Sequence, residues 1–311
     1  MTARLIVTGR LLQFSGDLVL FGSSLFYLYG FAAGGPDWFS CTRCWPKLIL
    51  SGATLAAGAG IVIWVMAQTA SISDQPSDAF NPAVVLSVLT ETRFGRICLL
   101  RLGLLTACVI LLGWLSPGRK LWLSMAVLSG VLVATFAWLG HGIKDDGLAG
   151  VVHLTGDLLH LFAAGVWLGA LVPLSVLIMQ SLRTEHVSDA HATYHALESF
   201  SAIGASVVAV LLFSGIINSW FLIGWNQMAA LVTTTYGLAL SLKLILFGAM
   251  LLLAANNRFH LSPRLAHGID RQGSTDALRA LRFSLLTETG LALLVLTAVA
   301  FLGTLEPPVS S

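Results

Sequence analysis

Residues 153–173 read HLTGDLLHLFAAGVWLGALVP, an apolar run that is long enough to cross a bilayer yet carries three ionisable side chains near its start. A transmembrane helix needs about 20 apolar residues. On a helix that advances about 100° per residue, His153, Asp157 and His160 lie within roughly 60° of one another. Ionisable groups at membrane depth are costly, and by default they mark a functional site facing the interior of a helix bundle. The segment therefore predicts a membrane helix with a functional face.

The composition of the whole chain indicates a polytopic membrane protein. Of 311 residues, 56% are hydrophobic and 10% are charged, and the mean hydropathy is +0.85, whereas soluble domains carry about 25% charged residues. The net charge of +2 is too small to indicate nucleic-acid binding. We predict an all-α bundle that forms a single integral membrane domain over residues 1–311. Its eight expected spans are 5–31, 46–69, 96–115, 120–140, 151–181, 199–223, 236–257 and 281–304.

The distribution of Lys and Arg predicts the orientation, because basic residues favour cytoplasmic loops. Ten of the 17 basic residues follow spans one, three, five and seven: Arg43, Lys47, Arg119, Lys120, Arg183, Arg258, Arg264, Arg271, Arg279 and Arg282. Both termini are therefore expected outside the cytoplasm. Near the opposite membrane surface, Asn81 and Pro82 are suited to cap and begin a short helix that ends before Thr92.

The expected outer face carries a ladder of possible metal ligands. His141 ends the fourth span and His153 begins the fifth, while Asp157 and His160 lie up to roughly 10 Å deeper at 1.5 Å per residue. Imidazole and carboxylate groups suit a transition metal such as copper, as either Cu(I) or Cu(II). The alternative is that His141 and His153 are interfacial and that His160 bonds a neighbouring helix.

The first span has a polar face of its own, formed by Arg10, Gln13 and Asp17. These residues argue against a cleaved signal peptide, so we expect the span to remain in the mature protein. Buried charges in a bilayer need partners, and the other spans supply Arg101, Lys243 and Glu288. Structural pairing is one interpretation; a direct role in translocation, with Asp17 as a metal ligand, is the other.

Two further groups of residues could handle metal on the cytoplasmic side. Cys41 and Cys44 form a CxxC that could bind Cu(I) or act as a redox pair, or could be an ordinary loop. The loop after span five contains His186, His191 and His195, which could bind metal but are more typical of solvated histidines. The sequence has no GxxxxGK[ST], GxSxG, HExxH or DKTG motif, so we expect neither ATP-driven pumping nor an enzyme.

Small residues and proline predict how the helices pack. Gly52, Ala56 and Gly60 recur every four residues, as do Gly165 and Gly169, and such spacing is typical of close helix contacts. Pro173 removes a backbone donor from the fifth span and predicts a kink or a weakened turn near Gly169. We find no internal repeat of the inverted kind that is typical of secondary transporters.

Several stretches together resemble the copper-resistance protein D family (CopD, PcoD). They are RLLQFSGDLVLFGSSLFYLY in the first span, TRFGRICLLRL from Thr92, HLTGDLLHLFAAGVWLGALVP, ESFSAIGASVVAVLLFSGIIN from Glu198, TTYGLALSLKLILFGAMLLLAANNR from Thr234, and the LGTLEPP ending. The resemblance covers most of the chain.

This resemblance implies a multi-pass protein of the bacterial inner membrane that moves or receives copper, with a periplasmic CopC-like copper-binding protein as donor. The family pattern of His, Asp-x-x-His and Trp-x-Gly falls on His153, Asp157, His160, Trp167 and Gly169. Some relatives have histidine where this chain has Gln13, so a ligand role for the first span is in doubt. Two rival functions remain open: a b-type haem protein that reduces copper, with His141 and a fifth-span histidine as axial ligands, and a non-transporting membrane partner or sensor of a periplasmic copper protein.

The orientation can be tested with reporter fusions. An alkaline phosphatase fused after Ser311 should be active, because this enzyme folds only outside the reducing cytoplasm and ten basic residues are expected inside. A fusion in the loop around Arg271 serves as the control and should be inactive. Cytoplasmic fluorescence from a green-protein fusion at Ser311 would reverse the orientation.

Overall fold

The computed structural model describes residues 2–30, 45–139, 147–184, 186–224, 229–270 and 273–306, and these ranges are helical without a strand. The α-helices are α1 (Thr2–Tyr29), α2 (Trp45–Ile72), α3 (Pro82–Glu91), α4 (Arg93–Trp114), α5 (Arg119–Leu139), α6 (Gly147–Thr184), α7 (Val187–Ile223), α8 (Ala230–Thr233), α9 (Thr235–Asn256), α10 (Ser262–Asp270) and α11 (Thr275–Leu302). A 3₁₀ turn (Pro76–Phe80) precedes α3, and a π-helical turn (Asn257–Leu261) joins α9 to α10.

The described ranges contain eight helices that are long and apolar enough to cross a membrane, which confirms the predicted number of spans. The seventh runs from Thr235 to Ile269, through the π turn and α10, and so extends beyond the predicted end at residue 257. Large apolar side chains such as Leu55, Val109 and Ile245 are exposed on the outside of the bundle. They suit contact with lipid, in which exposed apolar side chains carry no cost.

Helix α1 is the central element of the bundle, because it packs against α2, α5, α6 and α11. Its contact with α6 depends on glycines. A Cβ atom on Gly22 would lie 2.8 Å from Cα of Gly169, and one on Gly165 would lie 2.7 Å from the Phe21 ring. The predicted close contact at Gly165 and Gly169 is thus confirmed, with α1 as the partner helix.

Helix α6 continues through Pro173, and α1 compensates for the backbone donor that this proline lacks. Proline has no N–H for the carbonyl four residues earlier, here that of Gly169. The hydroxyl of Ser23 on α1 donates a hydrogen bond of 2.7 Å to this oxygen. The interaction satisfies a carbonyl that would otherwise be unpaired inside the membrane.

The glycine stripe predicted on the second span is only partly correct. Gly60 faces α1, where a Cβ would lie 2.7 Å from the backbone nitrogen of Gln13. Ala53 and Ala57 complete this contact, since the Cβ of a residue at Gly16 would meet their backbone atoms. Gly52, by contrast, is exposed, and a Cβ there would meet no described atom within 4 Å.

The predicted short helix before Thr92 is confirmed as α3. The side chain of Asn81 accepts a hydrogen bond of 3.2 Å from the backbone nitrogen of Ala83, and Pro82 occupies the first helical position. Asparagine caps the helix and proline needs no partner there.

Three segments of the first half correspond to three segments of the second half in the same order and direction, and we interpret this pattern as a tandem repeat. Residues 13–18 read QFSGDL in α1, and residues 153–158 read HLTGDL in α6. Residues 92–101 read TRFGRICLLR, and residues 234–243 read TTYGLALSLK. Residues 121–130 read LWLSMAVLSG in α5, and residues 281–290 read LRFSLLTETG in α11. Repeats of this parallel kind are one of the two symmetries found in transporters.

The structure supports the repeat at the start of α4 and α9. The hydroxyl of Thr92 accepts a hydrogen bond of 2.9 Å from the Gly95 nitrogen, and that of Thr234 accepts one of 3.0 Å from the Gly237 nitrogen. Both glycines press against the short helix that precedes them, so that a Cβ on either would meet its backbone. The same cap and the same close approach occur in each half.

The halves differ in one packing contact. In the first half, α2 packs against α4. The counterparts α7 and α9 do not pack together along their lengths, and a cavity of about 400 Å³ lies between them. The repeat is therefore open on one side in its second copy.

The central role of α1 predicts a position-specific effect of small-to-large substitution. Gly22→Val should destabilise the protein by about 1–3 kcal/mol or more, because the new methyl groups have no space against Gly165 and Gly169. Gly52→Val, also within a membrane helix, is the matched control and should behave like the wild type. The midpoint of thermal unfolding in detergent measures both; equal midpoints would contradict the packing described.

Candidate functional site

Residues of α6 also line the cavity between α7 and α9. It is lined mostly by apolar side chains, with a small number of polar ones: His160, Trp167, Asn218, Ser219 and Lys243. An apolar pocket with few convergent polar groups is typical of a binding site. The cavity thus selects the second repeat as the part of the bundle in which a polar species could be held.

His153 and Asp157 form a pair on α6, one turn apart. Nε2 of His153 lies 4.0 Å from Oδ2 of Asp157. The histidine is buried, and its ring stacks on Phe221 of α7 with the centroids 4.5 Å apart. Asp157 is about one quarter exposed. The carboxylate can therefore reach both the imidazole and an incoming ion.

His160 lies below this pair, on the wall of the cavity. Its Nδ1 is 3.1 Å from the hydroxyl of Ser214 on α7, so the bond to a neighbouring helix that was one alternative does exist. A hydrogen bond at Nδ1 fixes the ring and leaves Nε2 as the nitrogen for a ligand. The hydrogen bond is thus compatible with two roles of His160: a structural contact between α6 and α7, or a metal ligand that Ser214 orients.

The three predicted ligands do not converge on one point. Among the described residues, no group of three or more His, Cys, Asp or Glu side chains is arranged to hold a metal ion. His153 and Asp157 form one position and His160 a second, deeper one. His141, the fourth predicted ligand, lies outside the described residues. A metal site at these residues stays a prediction.

Lys243 of α9 shares the cavity with His160 and interacts electrostatically with Asp157. It is the counterpart of Arg101, and Asp157 is the counterpart of Asp17. Each repeat therefore places one acid and one base at equivalent positions. From the sequence we considered Arg101 and Lys243 as partners for the charges of the first span but did not relate the two acid–base pairs, a relation that is visible when QFSGDL is set against HLTGDL and TRFGRICLLR against TTYGLALSLK.

In the first repeat the equivalent charges form a closed ion pair. Arg101 donates to the carboxylate of Asp17, and both side chains are fully buried. Arg101 also donates to the carbonyl of Leu132 at 3.0 Å and to the hydroxyl of Thr135 at 2.5 Å, and its guanidinium lies 4.1 Å from the centroid of the Phe136 ring. Structural pairing, one of the two predicted interpretations of Asp17, is thus present.

Other polar groups of α1 are buried beside this ion pair. Both amide atoms of Gln13 and the Oδ1 atom of Asp17 have no hydrogen-bond partner among the described residues. The guanidinium of Arg10 lies 4.9 Å from the centroid of the Trp64 ring, a cation–π distance. Gln13 is the counterpart of His153 and Leu20 that of His160. The first repeat therefore keeps the ion pair but has neither imidazole.

A polar network that the sequence analysis missed lies on the far side of Trp167. The indole nitrogen of Trp167 donates a hydrogen bond of 2.7 Å to Oε1 of Glu288, and the Asn257 amide donates one of 3.1 Å to Oε2. Glu288 is only 1% exposed. The sequence shows that Glu288 is an isolated acid within α11. It does not show the partners of this acid, because the π turn determines where Asn257 lies.

Comparison with known protein families decides the identity of the fold. Residues 1–151 match the family profile of the copper resistance protein D-like N-terminal domain, and residues 194–302 match that of copper resistance protein D. The chain is 32% identical over 305 residues to copper resistance protein D of Pseudomonas syringae pv. tomato, and the match covers 97% of both proteins.

The chain belongs to the copper resistance protein D family.

Two further relatives extend the family. The inner membrane protein YebZ of Escherichia coli is 30% identical, with 74% of each chain covered. The copper transport protein CutJ of Bacillus subtilis is 27% identical over 79% of this chain, which corresponds to 44% of CutJ. The predicted family, a copper-related membrane function and a multi-pass location in the bacterial inner membrane are thereby confirmed.

The other proposed metal groups receive no support from these matches. Cys41 and Cys44 lie outside the described residues, so their role in this copper resistance protein D relative stays a prediction. His186 and His191 are exposed, and Nδ1 of His195 lies 3.6 Å from Glu198 in an exposed pair. The expected loop is wrong for two of them, since His186 precedes α7 and His191 and His195 lie within its first turns, but all three have the solvated environment that was expected as the more typical one.

The buried ion pair predicts an asymmetric mutational effect. Arg101→Met should lower stability by about 3–5 kcal/mol, because it leaves Asp17 buried without its cation. The double variant Asp17→Leu with Arg101→Met should recover much of this loss, since no uncompensated charge remains. Thermal unfolding in detergent measures both effects, with Arg93→Met, exposed at the start of α4, as the control. Equal stability of all three variants would show that the pair is not structural.

Proposed function

We propose that this protein conducts copper ions from the periplasm to the cytoplasm without nucleotide hydrolysis. The ion would enter at His153 and Asp157, with His141 contributing at the membrane surface. It would then pass to His160 at the wall of the cavity. We assign no catalytic reaction to the chain.

The observation that carries the proposal is the difference between the two repeats. Both retain an acid and a base at equivalent positions, but the imidazoles of His153 and His160 occur in the second alone, where a cavity lies between α7 and α9. A membrane helix at these positions does not require an imidazole, because the corresponding positions of α1 are occupied by Gln13 and Leu20. The features unique to the second repeat are those that a transition metal would use.

The chemistry of these groups supports copper as the cargo. Imidazole nitrogen binds both oxidation states of copper, and carboxylate oxygen is better suited to Cu(II). Asp157 could ligate the ion directly, or its carboxylate could accept a hydrogen bond from the His153 ring and so raise the basicity of the imidazole. Two successive positions with few ligands each also suit conduction, in which binding must be weak enough for the ion to leave.

A periplasmic CopC-like protein is the proposed donor of the ion. Two relatives are named for copper resistance and for copper transport. The orientation predicted from basic residues would expose His141 and His153 to the periplasm. At the opposite membrane surface, Cys41 and Cys44 would be the first thiolates to receive Cu(I).

The direct test is copper flux into proteoliposomes with a defined orientation. Copper should accumulate inside vesicles that contain the protein and no ATP, and empty vesicles provide the control. Copper binding without flux would support a non-transporting partner or sensor instead. Haem absorption from the purified protein would support the redox alternative.

Substitution of the two histidines should separate copper binding from folding. His153→Ala and His160→Ala should each lower copper affinity by about tenfold or more, the loss typical of a removed ligand or of its supporting partner. Insertion should be unchanged, because it depends on the apolar run of α6. His195→Ala, in an exposed pair, is the matched control. Unchanged affinity in both variants, measured by titration of the purified proteins, would exclude these residues as ligands.

A further inference from the structure

Glu288 is a buried carboxyl whose negative charge has no cationic partner among the described residues. Its two hydrogen-bond donors, the Trp167 indole and the Asn257 amide, are both neutral. An ionised carboxylate in a low-dielectric interior is costly unless it is paired with a cation or protonated. Two neutral hydrogen bonds offset only part of this cost, so the site must take up a positive charge.

The charged and titratable groups around α11 are all engaged or directed elsewhere. On α6, His160 contacts Ser214 and Asp157 interacts with Lys243, which lines the cavity. On α1, Asp17 is paired with Arg101, and Arg10 lies over Trp64. On α11 itself, Arg279 lies 3.7 Å from Asp276 in an exposed pair, and Arg282 is exposed. Tyr236 of α9 lies beyond Lys243, near the start of that helix. Arg258 of the π turn donates to the carbonyl of Ser201, and His260, Arg264 and His267 are exposed.

Asn257 can serve both charge states of this carboxyl. In the arrangement described, its NH₂ group donates to Oε2 of Glu288 at 3.1 Å, as an ionised acceptor requires. Its own Oδ1 is buried and has no partner among the described residues. A half-turn of the amide would place Oδ1 opposite Oε2, where it could accept the O–H of a protonated Glu288. The same contact distance suits both arrangements.

The position of Asn257 is itself unusual, because it begins a π-helical turn. Such turns are uncommon and often occur at functional sites. Ser284, one turn before Glu288 on α11, is also buried with its hydroxyl unpartnered among the described residues. Two neighbouring elements, α6 and the π turn, thus bring polar groups to one carboxyl inside an apolar bundle.

The repeat shows that helix packing does not require an acid here. Glu288 of LRFSLLTETG corresponds to Leu128 of LWLSMAVLSG, while the serine and the final glycine are the same in both segments. A leucine therefore fills the equivalent position of the first repeat. A buried acid is costly in a membrane, so the presence of Glu288 where the first repeat has leucine points to a functional role.

We propose that Glu288 binds and releases a proton within the membrane, with Asn257 turning its amide to match each charge state. The released proton passes to water, and a proton returns from water to Oε2. Trp167 separates this carboxyl from the cavity, since the same indole both lines the cavity and bonds Oε1. A second step rests on the proposed copper conduction: entry of the cation into the cavity accompanies loss of the proton from Glu288.

Infrared difference spectra test the proton site without any need for copper transport. In the protein reconstituted in lipid, the C=O stretching band of a protonated carboxyl should diminish as the pH is raised. Glu288→Gln should remove this band, and Glu91→Gln, exposed at the end of α3, should retain it. Trp167→Phe should shift the band, because one hydrogen bond to the carboxyl is lost.

Three results would overturn the proton site: a spectrum of Glu288→Gln that matches the wild type, a band that Trp167→Phe leaves in place, or a band that responds to sodium and not to pH. The last would assign a metal cation to the carboxyl instead.

Copper flux under an imposed pH gradient tests the coupling. The wild-type rate should respond to the gradient, and Glu288→Gln should lose this response while its copper affinity is retained. An equal response in both proteins would exclude coupling through Glu288. Absence of flux in the wild type would contradict the proposed conduction, and with it the coupling, but the infrared result would still decide the proton site.

Discussion

A bilayer offers no water to polar groups, and this constraint determines most of what is distinctive in the protein. The Gly169 carbonyl freed by Pro173 is bonded by Ser23 of another helix, and the Arg101 guanidinium is enclosed by Asp17, Leu132 and Thr135. Each such contact also joins helices that are distant in sequence. The hydrogen bonds that satisfy the buried polar groups therefore also hold the bundle together around α1.

Under the proposed copper conduction, the repeat separates residues that build the fold from residues that would handle the ion. Residues that both halves share, such as the threonine caps and the acid–base positions, build the helix arrangement twice. Residues that only the second half has, namely His153, His160 and Glu288, lie around a cavity or just beyond its wall. A repeat in which one copy is closed by a buried ion pair gives rigidity, while the other copy has space to accept an ion.

The difference between the closed first repeat and the second repeat with its cavity suggests how a copper resistance protein D relative could combine selectivity with conduction. A single site with four strong ligands would hold copper too tightly to release it. The structure instead places His153 with Asp157, then His160, then a wall formed by Trp167. Lys243 lines the same cavity, and in its protonated form it would weaken the binding of a positive ion and assist its departure.

The sequence by itself determined the eight spans, the α3 cap and the polar face of α6, because apolar run length, Asn-Pro and a helical period are local signals. The repeat is also present in the sequence, but it is difficult to recognise because few positions are identical between the two halves and because both copies run in the same direction. Only the tertiary structure decided which partner each buried charge has. Asp17 could have paired with several cations, and it meets Arg101 because α5 packs against both α1 and α4 and so brings the two side chains together. The cavity and the Asn257–Glu288 contact likewise depend on how α7 and α9 diverge and on where the π turn falls, and no local pattern encodes the distance between helices.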